Sequence, residues 1–481
     1  MTRVRNFLVD VGPWPVGLGF MTFWLMAWSV LQAPIADVGI HVSVAERLIA
    51  GDRLYEEVWD NKDPLYFLTL AGARWISPLG GWFIQIASLA ATSISVYFVS
   101  RRIDTSRSLA VLVGWVAAPI IVVVLLDPTG GVSPAVPATF AAVAFALVKR
   151  PLFAGLVLAA VPFFQIRMFP VALTVLVVVF WFVPQRRVRA GIGFGLGVVL
   201  VLAVLAFRQE LLPYVNSLFL NIGYAQAESA GSGILAGRLV FLQNSAVQLS
   251  VLATVLALSL ARPLSMRAKG SAKRSANDAI WWAAAWCLPS IALVLLVTGK
   301  WPGHAKLLLI PGTLAVVAVA SQLSWRPRYS TVVSAVIVIS LGILIAAVPS
   351  PKPFFNSLEY ARAVLSQNKN ASTQAQAVIQ TGPPASYARV GQGQDPAHAI
   401  GLRDWDLACP RITQYWWENE SILESTRECL SSADVLLVTD DLYGPVTTPT
   451  WERFQKGVEE VLAENYTCSP SPGFRVCTKV V

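Results

Sequence analysis

Residues 14–32, WPVGLGFMTFWLMAWSVLQ, run for nineteen positions without a charge. A bilayer's hydrocarbon core is crossed by about 20 apolar residues in a helix. The run is too long for a signal-peptide core, and Ala33-Pro34-Ile35-Ala36-Asp37 follows it rather than a clear small-residue cleavage site. It therefore reads as a retained first span. Working outward, similar apolar runs place spans near 81–100, 108–126, 134–148, 152–166, 168–183, 191–207, 243–261, 279–298, 307–323 and 331–349. The three between Pro134 and Val183 are short for full crossings. Composition points the same way: 55% of residues are hydrophobic and 14% charged, against about a quarter charged in soluble domains. The expected fold class is an α-helical polytopic membrane protein of about 11 transmembrane helices with a small C-terminal extracytoplasmic α/β domain.

The net charge of +9 is distributed among short loops between the apolar runs. That pattern fits topological signals and membrane lipids, and argues against nucleic acid as a partner. Counting from the first span, Arg3, Arg5, Arg101, Arg102, Arg107, Lys149, Arg150, Arg186, Arg187, Arg189 and the basic residues of 262–274 and 326–328 fall on one side. The positive-inside rule makes that side cytoplasmic. The expected location is thus the cell membrane, with a cytoplasmic N-terminus and the 34–80 loop and C-terminal tail outside. Expected domains are 1–349, a linker over 350–385, and 386–481.

Beyond Ser350 hydrophobicity falls, charges mix, and four of the five cysteines appear. Apolar runs at Asp434–Thr439 and Phe474–Val480 read as strands, and Trp451–Glu464 carries Phe454, Val458 and Leu462 at helical spacing. Four cysteines in an extracytoplasmic domain predict two disulfides. Of three connectivities, Cys468–Cys477 is favoured because it staples the Ser-Pro-Ser-Pro-Gly turn between two strands, leaving Cys409–Cys429. Cys287 lies in an expected span. The chain contains no Walker-type Gly-Lys-Ser/Thr, no Gly-x-Gly-x-x-Gly after a strand, and no zinc-like Cys/His spacing, which weakens an ATP-driven transport reading.

The 46-residue window Asp37–Trp82 carries the densest charge: Asp37, Glu46, Arg47, Asp52, Arg53, Glu56, Glu57, Asp60, Lys62 and Asp63. Ionisable groups against a bilayer are costly and so mark a functional site by default. Asp37 lies at the outer end of the first span, where a carboxylate can act as general base toward an acceptor hydroxyl. The same position suits an interfacial Asp capping the helix that continues through Ile40, Val44 and Leu48.

The series Asp37, then Ala45-Glu46-Arg47-Leu48-Ile49-Ala50-Gly51, Leu54-Tyr55 and Trp59-Asp60-Asn61-Lys62-Asp63-Pro64-Leu65-Tyr66 resembles the first external loop of GT-C glycosyltransferases. The nearest in kind are the protein O-mannosyltransferase and lipid A aminoarabinose transferase group. That resemblance implies a GT-C-like membrane fold and a polyprenyl-phosphate-linked sugar as donor. It implies a lipid, glycan or protein acceptor outside the cytoplasm, Asp37 as the base, and Lys62 as the cation facing the carrier phosphate, with Tyr55 in the substrate-binding loop. Two departures stand out: Val38 replaces the usual Glu after Asp37, and Asp63 replaces the first Pro of Lys-Pro-Pro.

Further candidates flank that loop. Asp127, in Asp-Pro-Thr-Gly-Gly, fits either a second carboxylate of the pocket or a turn. With Asp37 it is the candidate pair for a divalent metal ion, the one cofactor the sequence suggests. Arg167, Lys300, His304 and Lys306 are basic residues at external span ends, suited to phosphate or to lipid headgroups. His41, one helical turn from Asp37, either orients it or faces solvent. The stretch 208–245 reads as a lid over the site or as an interfacial helix and linker. The leading expectation is a membrane glycosyltransferase. The alternatives are a lipid or solute transporter or flippase, or a noncatalytic envelope assembly protein with a degenerate site.

Overall fold

A computed structural model describes residues 36–102, 132–230 and 373–480, apart from residues 148, 183, 392–398, 400, 413, 415–419 and 444–447 within them. The chain divides into two compact units, one comprising 1–32, 84–200 and 238–357, the other 33–83, 201–237 and 358–481.

In chain order the helices before the sheet are α1 (Ala36–Ala50), α2 (Pro64–Ile76), α3 (Gly80–Arg102), α4 (Val132–Leu147), α5 (Pro151–Phe164), α6 (Phe169–Phe182), α7 (Arg187–Phe207), α8 (Leu211–Ala230) and α9 (Thr373–Ile379). In the first unit α4 and α5 form a helical hairpin turned at Lys149, and a 3₁₀ turn at Ile166–Met168 leads into α6. Small residues let α5 and α7 meet backbone to backbone. A Cβ at Gly193 would fall 2.1 Å from the Leu152 carbonyl oxygen, and one at Gly155 would fall 2.1 Å from that of Ala190.

The expectation of about eleven spanning helices is not sustained. Among the described residues one helix, α7, is both long and apolar enough to cross a membrane. Helix α4 has 16 residues, and α5 and α6 have 14 each. At 1.5 Å per residue these lengths give about 21–24 Å, short of the ~30 Å hydrocarbon core. Helix α3 is a continuous 23 residues, but its apolar run is broken by Ser88, Thr92, Ser93, Ser95 and Ser100. The runs expected at 14–33, 108–126, 243–261, 279–298, 307–323 and 331–349 lie outside the described residues.

The second unit contains a five-stranded mixed sheet. Its strands are β1 (Ser386–Val390), β2 (Asp406–Leu407), β3 (Val435–Thr439), β4 (Tyr466–Ser471) and β5 (Phe474–Lys479), in the order β2-β1-β3-β5-β4. Strands β2, β1 and β3 run parallel, while β5 is antiparallel to both β3 and β4. Two helices connect them: α10 (Glu420–Leu430) leads to β3, and α11 (Pro449–Asn465) links β3 to β4. Thr448 caps α11 by accepting from the Trp451 N–H, and Pro449 opens it.

Strand β3 is buried throughout, as its run Val-Leu-Leu-Val requires of a central strand covered on both faces. Leu436 and Val438 pack with Trp451, Phe454 and Val458 of α11, whereas Val435 and Leu437 pack with Ala375 and Val378 of α9. The strands and helix expected at 434–439, 474–480 and 451–464 therefore stand within a residue or two of their predicted bounds. Both disulfides pair as expected, Cys409–Cys429 and Cys468–Cys477. The second joins directly opposed residues of the β4–β5 hairpin, whose turn uses Gly473 at φ 82°.

Candidate functional site

The site is built on α1, the loop Gly51–Asp63 and α2, all within the second unit. Gly51, at φ 114°, ends α1, and its N–H bonds the Arg47 carbonyl. The loop then returns the chain to the start of α2, which opens on Pro64 after an extended Asp63. His41 of α1 meets Tyr66 of α2, with Nδ1 and hydroxyl 3.1 Å apart, and its ring lies edge-on to Phe67. Further on, Glu46 meets Arg74 at 2.6 Å. Since later residues of α1 meet later residues of α2, the two helices run in the same sense. Asp37 and Lys62 each lie about one turn before the contacting pair, so the chain brings both to one end of the helix pair. His41 is buried between the helices rather than facing solvent.

Lys62 is half-buried. Its backbone N–H donates to Asp60 and its ammonium to the Asn61 amide oxygen. Among the described residues no carboxylate lies within ion-pair reach of that ammonium. Tyr55 holds the same residue from behind: its hydroxyl donates to the Lys62 carbonyl at 2.7 Å. Tyr55 adopts φ 68°, an unusual conformation for a side-chain-bearing residue, maintained by burial and by its N–H bond to Val58. Burial, with Asp63 nearby, pushes the Tyr55 phenol well above its ordinary value, which keeps it a neutral donor.

Asp63, the departure beside Lys62, is 3% exposed and accepts from Tyr214 of α8 at 3.4 Å. Burial raises the Tyr214 phenol, and Asp63 raises it further. Asn221, also on α8, donates to the Asn61 carbonyl. The stretch expected as lid or helix is thus helical over Leu211–Ala230 and braces residues 61–63; its remainder lies outside the described residues.

A set of ion pairs seats the loop on the C-terminal segment around β2; the charged window named Glu46, Arg47 and Asp52 but not their partners. Arg47 is 2% exposed, grips Asp52 with two bonds of 2.7 and 3.0 Å, and donates to the carbonyls of Leu402 and Trp405. Burial pushes the Asp52 carboxyl above its ordinary value, with Arg47 opposing the shift. Glu46 takes Arg403 as well as Arg74. Glu210 is fully buried, accepts the Leu54 N–H at 3.0 Å, and pairs with Arg208 at 2.8 Å. Arg208 is therefore engaged by its neighbour. Trp59 donates its backbone N–H to the Pro410 carbonyl at 2.7 Å, and the Arg411 guanidinium sits 3.6 Å from the Trp59 ring centroid. Adjacent opposite charges in Ala45-Glu46-Arg47-Leu48, inside an otherwise apolar stretch, were the one signal for this network.

Of the other candidates, Arg167 is half-buried in the 3₁₀ turn before α6 and belongs to the first unit. Asp127, Lys300, His304 and Lys306 lie outside the described residues. Among the described residues no three His, Cys, Asp or Glu side chains gather as a metal site. Compared with known proteins, the chain matches no protein-family model and no curated protein sequence.

Proposed function

We propose that this chain is a glycosyltransferase that moves a sugar from a polyprenyl-phosphate carrier to a glycan, lipid or protein acceptor at the extracytoplasmic face of the cell membrane. The observation that carries the reading is the parallel α1/α2 pair, which brings Asp37 and Lys62 to the same end. Both helix N-termini lie at that end, so their dipoles add positive potential to the Lys62 ammonium. A half-buried ammonium whose one hydrogen-bond partner among the described residues is a neutral amide is matched to an anion. The resemblance of the loop supplies the roles, and the two disulfides agree with an oxidising location.

In this reading Asp37 takes the proton of the acceptor hydroxyl as its oxygen bonds the sugar's anomeric carbon. The bond from that carbon to the carrier phosphate breaks with inversion, and polyprenyl phosphate leaves with the electron pair. Lys62 neutralises the charge developing on the departing phosphate, an interaction that strengthens toward the transition state. Tyr55 and the Asp63–Tyr214 pair fix the Lys62 backbone, so the cation is positioned before the donor arrives.

The test is transfer from radiolabelled polyprenyl-phosphate sugars to membrane extract by purified wild-type, Asp37→Asn and Lys62→Met proteins. Loss of general-base catalysis is expected to lower turnover by roughly 10²–10⁴ in Asp37→Asn. Full activity in that variant would remove the reading's basis, and no transfer by the wild type from any donor would reject it.

A further inference from the structure

Helix α8 turns its polar side inward and its apolar side outward, the reverse of a helix packed on a core with its back to water. Glu210, just before its first residue, then Tyr214, Ser217 and Asn221 fall at the i, i+4, i+7, i+11 spacing of one helix face. Glu210 accepts the Leu54 N–H, Tyr214 donates to Asp63, Asn221 donates to the Asn61 carbonyl, and Ser217 is buried. The opposite face carries Leu212, Val215 and Phe219, all exposed, Leu212 to 75% and Phe219 to 68%. We propose that this outward face docks on the hydrocarbon of a lipid bilayer, so that α8 lies in the membrane surface with the Gly51–Asp63 loop on its other side.

Continuity is the first reason to choose lipid. Helix α7, the one described helix long and apolar enough to cross a membrane, ends at Phe207, and α8 begins at Leu211. Phe207 is 90% exposed, and Leu196, Leu200 and Val204, spaced by one turn along α7, are exposed as well. Outward apolar surface therefore flanks the turn on both sides. Charge is the second reason. Residues 190–207 and 211–227 contain no charged side chain, whereas a face that meets a protein partner is rimmed by polar groups and enriched in Arg. The two charges of the intervening turn cancel: Arg208 pairs with the fully buried Glu210 at 2.8 Å, so neither is offered unpaired to hydrocarbon. A helix of this kind sinks its apolar face ~5–10 Å into the boundary between headgroups and acyl chains. On α8 the polar face is taken by the loop instead of by water.

The contact rests on the polarity of α8 and not on the glycosyl-transfer reading. To test it, the photoreactive residue p-benzoylphenylalanine replaces Leu212 or Phe219 in the full-length protein, with its disulfides intact, reconstituted into vesicles of phosphatidylcholine and phosphatidylglycerol. Lys456 of α11, in the same unit and with its side chain 80% exposed, is replaced in the same way as the water-facing control. After irradiation, mass spectrometry identifies what each position has captured. Acyl-chain adducts at Leu212 or Phe219, at least five-fold above the yield at Lys456, are the expected result; two positions are used so that one misfolded variant does not decide the outcome. Lipid adducts at neither position, or a yield no greater than at Lys456, overturn the proposal. So do crosslinks from both positions to a second copy or to another part of the chain in place of lipid. Lipid capture by a protein that transfers no sugar would sink the glycosyltransferase reading and leave this contact standing. Transfer without lipid capture would do the reverse.

Discussion

Arg47 shows how one residue seats a loop. Its guanidinium satisfies Asp52 and two carbonyls of the C-terminal half while itself almost fully buried. Arg47→Met leaves those acceptors without their donor, and breaking a buried pair from one side costs about 3–5 kcal/mol. The expected result is a lowered denaturant midpoint and early proteolytic cleavage in Gly51–Asp63. Wild-type protease resistance in Arg47→Met would show that the loop is held by other means. A second residue-scale effect concerns acid. Asp434 accepts from the Ser386 hydroxyl and backbone N–H, and those bonds hold its carboxyl below the usual value. A depressed folded pKa contributes stability above the unfolded value of about 3.9 and loses it as pH falls through the folded value. Stability of the sheet region is therefore expected to decline below about pH 4, with a shallower decline in Asp434→Asn. Identical acid transitions in the two proteins would dismiss this contribution.

At the scale of elements, contacts between helices depend on what is missing from their side chains. Gly193 and Gly197 lie one turn apart on the buried face of α7, against α5, while Gly195 has open space around it. Gly193→Val forces a Cβ into the Leu152 carbonyl, and overpacking of that kind costs about 1–3 kcal/mol. Gly195→Val should be tolerated, so thermal denaturation of the two variants separates packing from helix propensity. Equal destabilisation would mean that glycine's contribution here is not close approach. In the β4–β5 hairpin, replacing Cys468 and Cys477 together by Ser is expected to cost about 2–4 kcal/mol through the freed unfolded chain, read as a lower melting temperature of the sheet.

At the scale of the molecule, one compact unit is assembled from three separate stretches, 33–83, 201–237 and 358–481. Arg47, Glu46, Trp59 and Glu210 are the fasteners, and each joins residues more than 150 positions apart, besides the local Arg47–Asp52, Glu46–Arg74 and Arg208–Glu210 bonds. Such a unit opens as a whole when its fasteners are shared. Hydrogen exchange is therefore expected to protect α1, the turn at Leu54–Val58 and strand β1 together. Arg47→Met should speed exchange in all three by a similar factor. Loss confined to α1 would show that the pieces are independent.

The sequence alone determined those features that a short stretch can encode. Alternation and apolar runs located β3, β5 and α11, because a strand or helix face is written within a dozen residues. Cysteine spacing around a Pro/Gly turn determined the disulfides. Apolar runs located the turn at Lys149–Arg150 and the break at Gln165–Met168 but could not determine the number of crossings, because an apolar run does not fix whether its helix is long enough to span, and the helices between these breaks are too short. The candidate site was half legible. Asp37, Tyr55 and Lys62 stood out as charge or pattern beside an apolar run. Only the tertiary structure decided that α1 and α2 run in the same sense, that Asp63 turns to Tyr214 rather than to Lys62, and that Glu46 and Arg47 reach the C-terminal segment around β2. Those outcomes depend on which distant groups can satisfy a buried charge, and a buried charge's partner is set by the fold rather than by its neighbours along the chain.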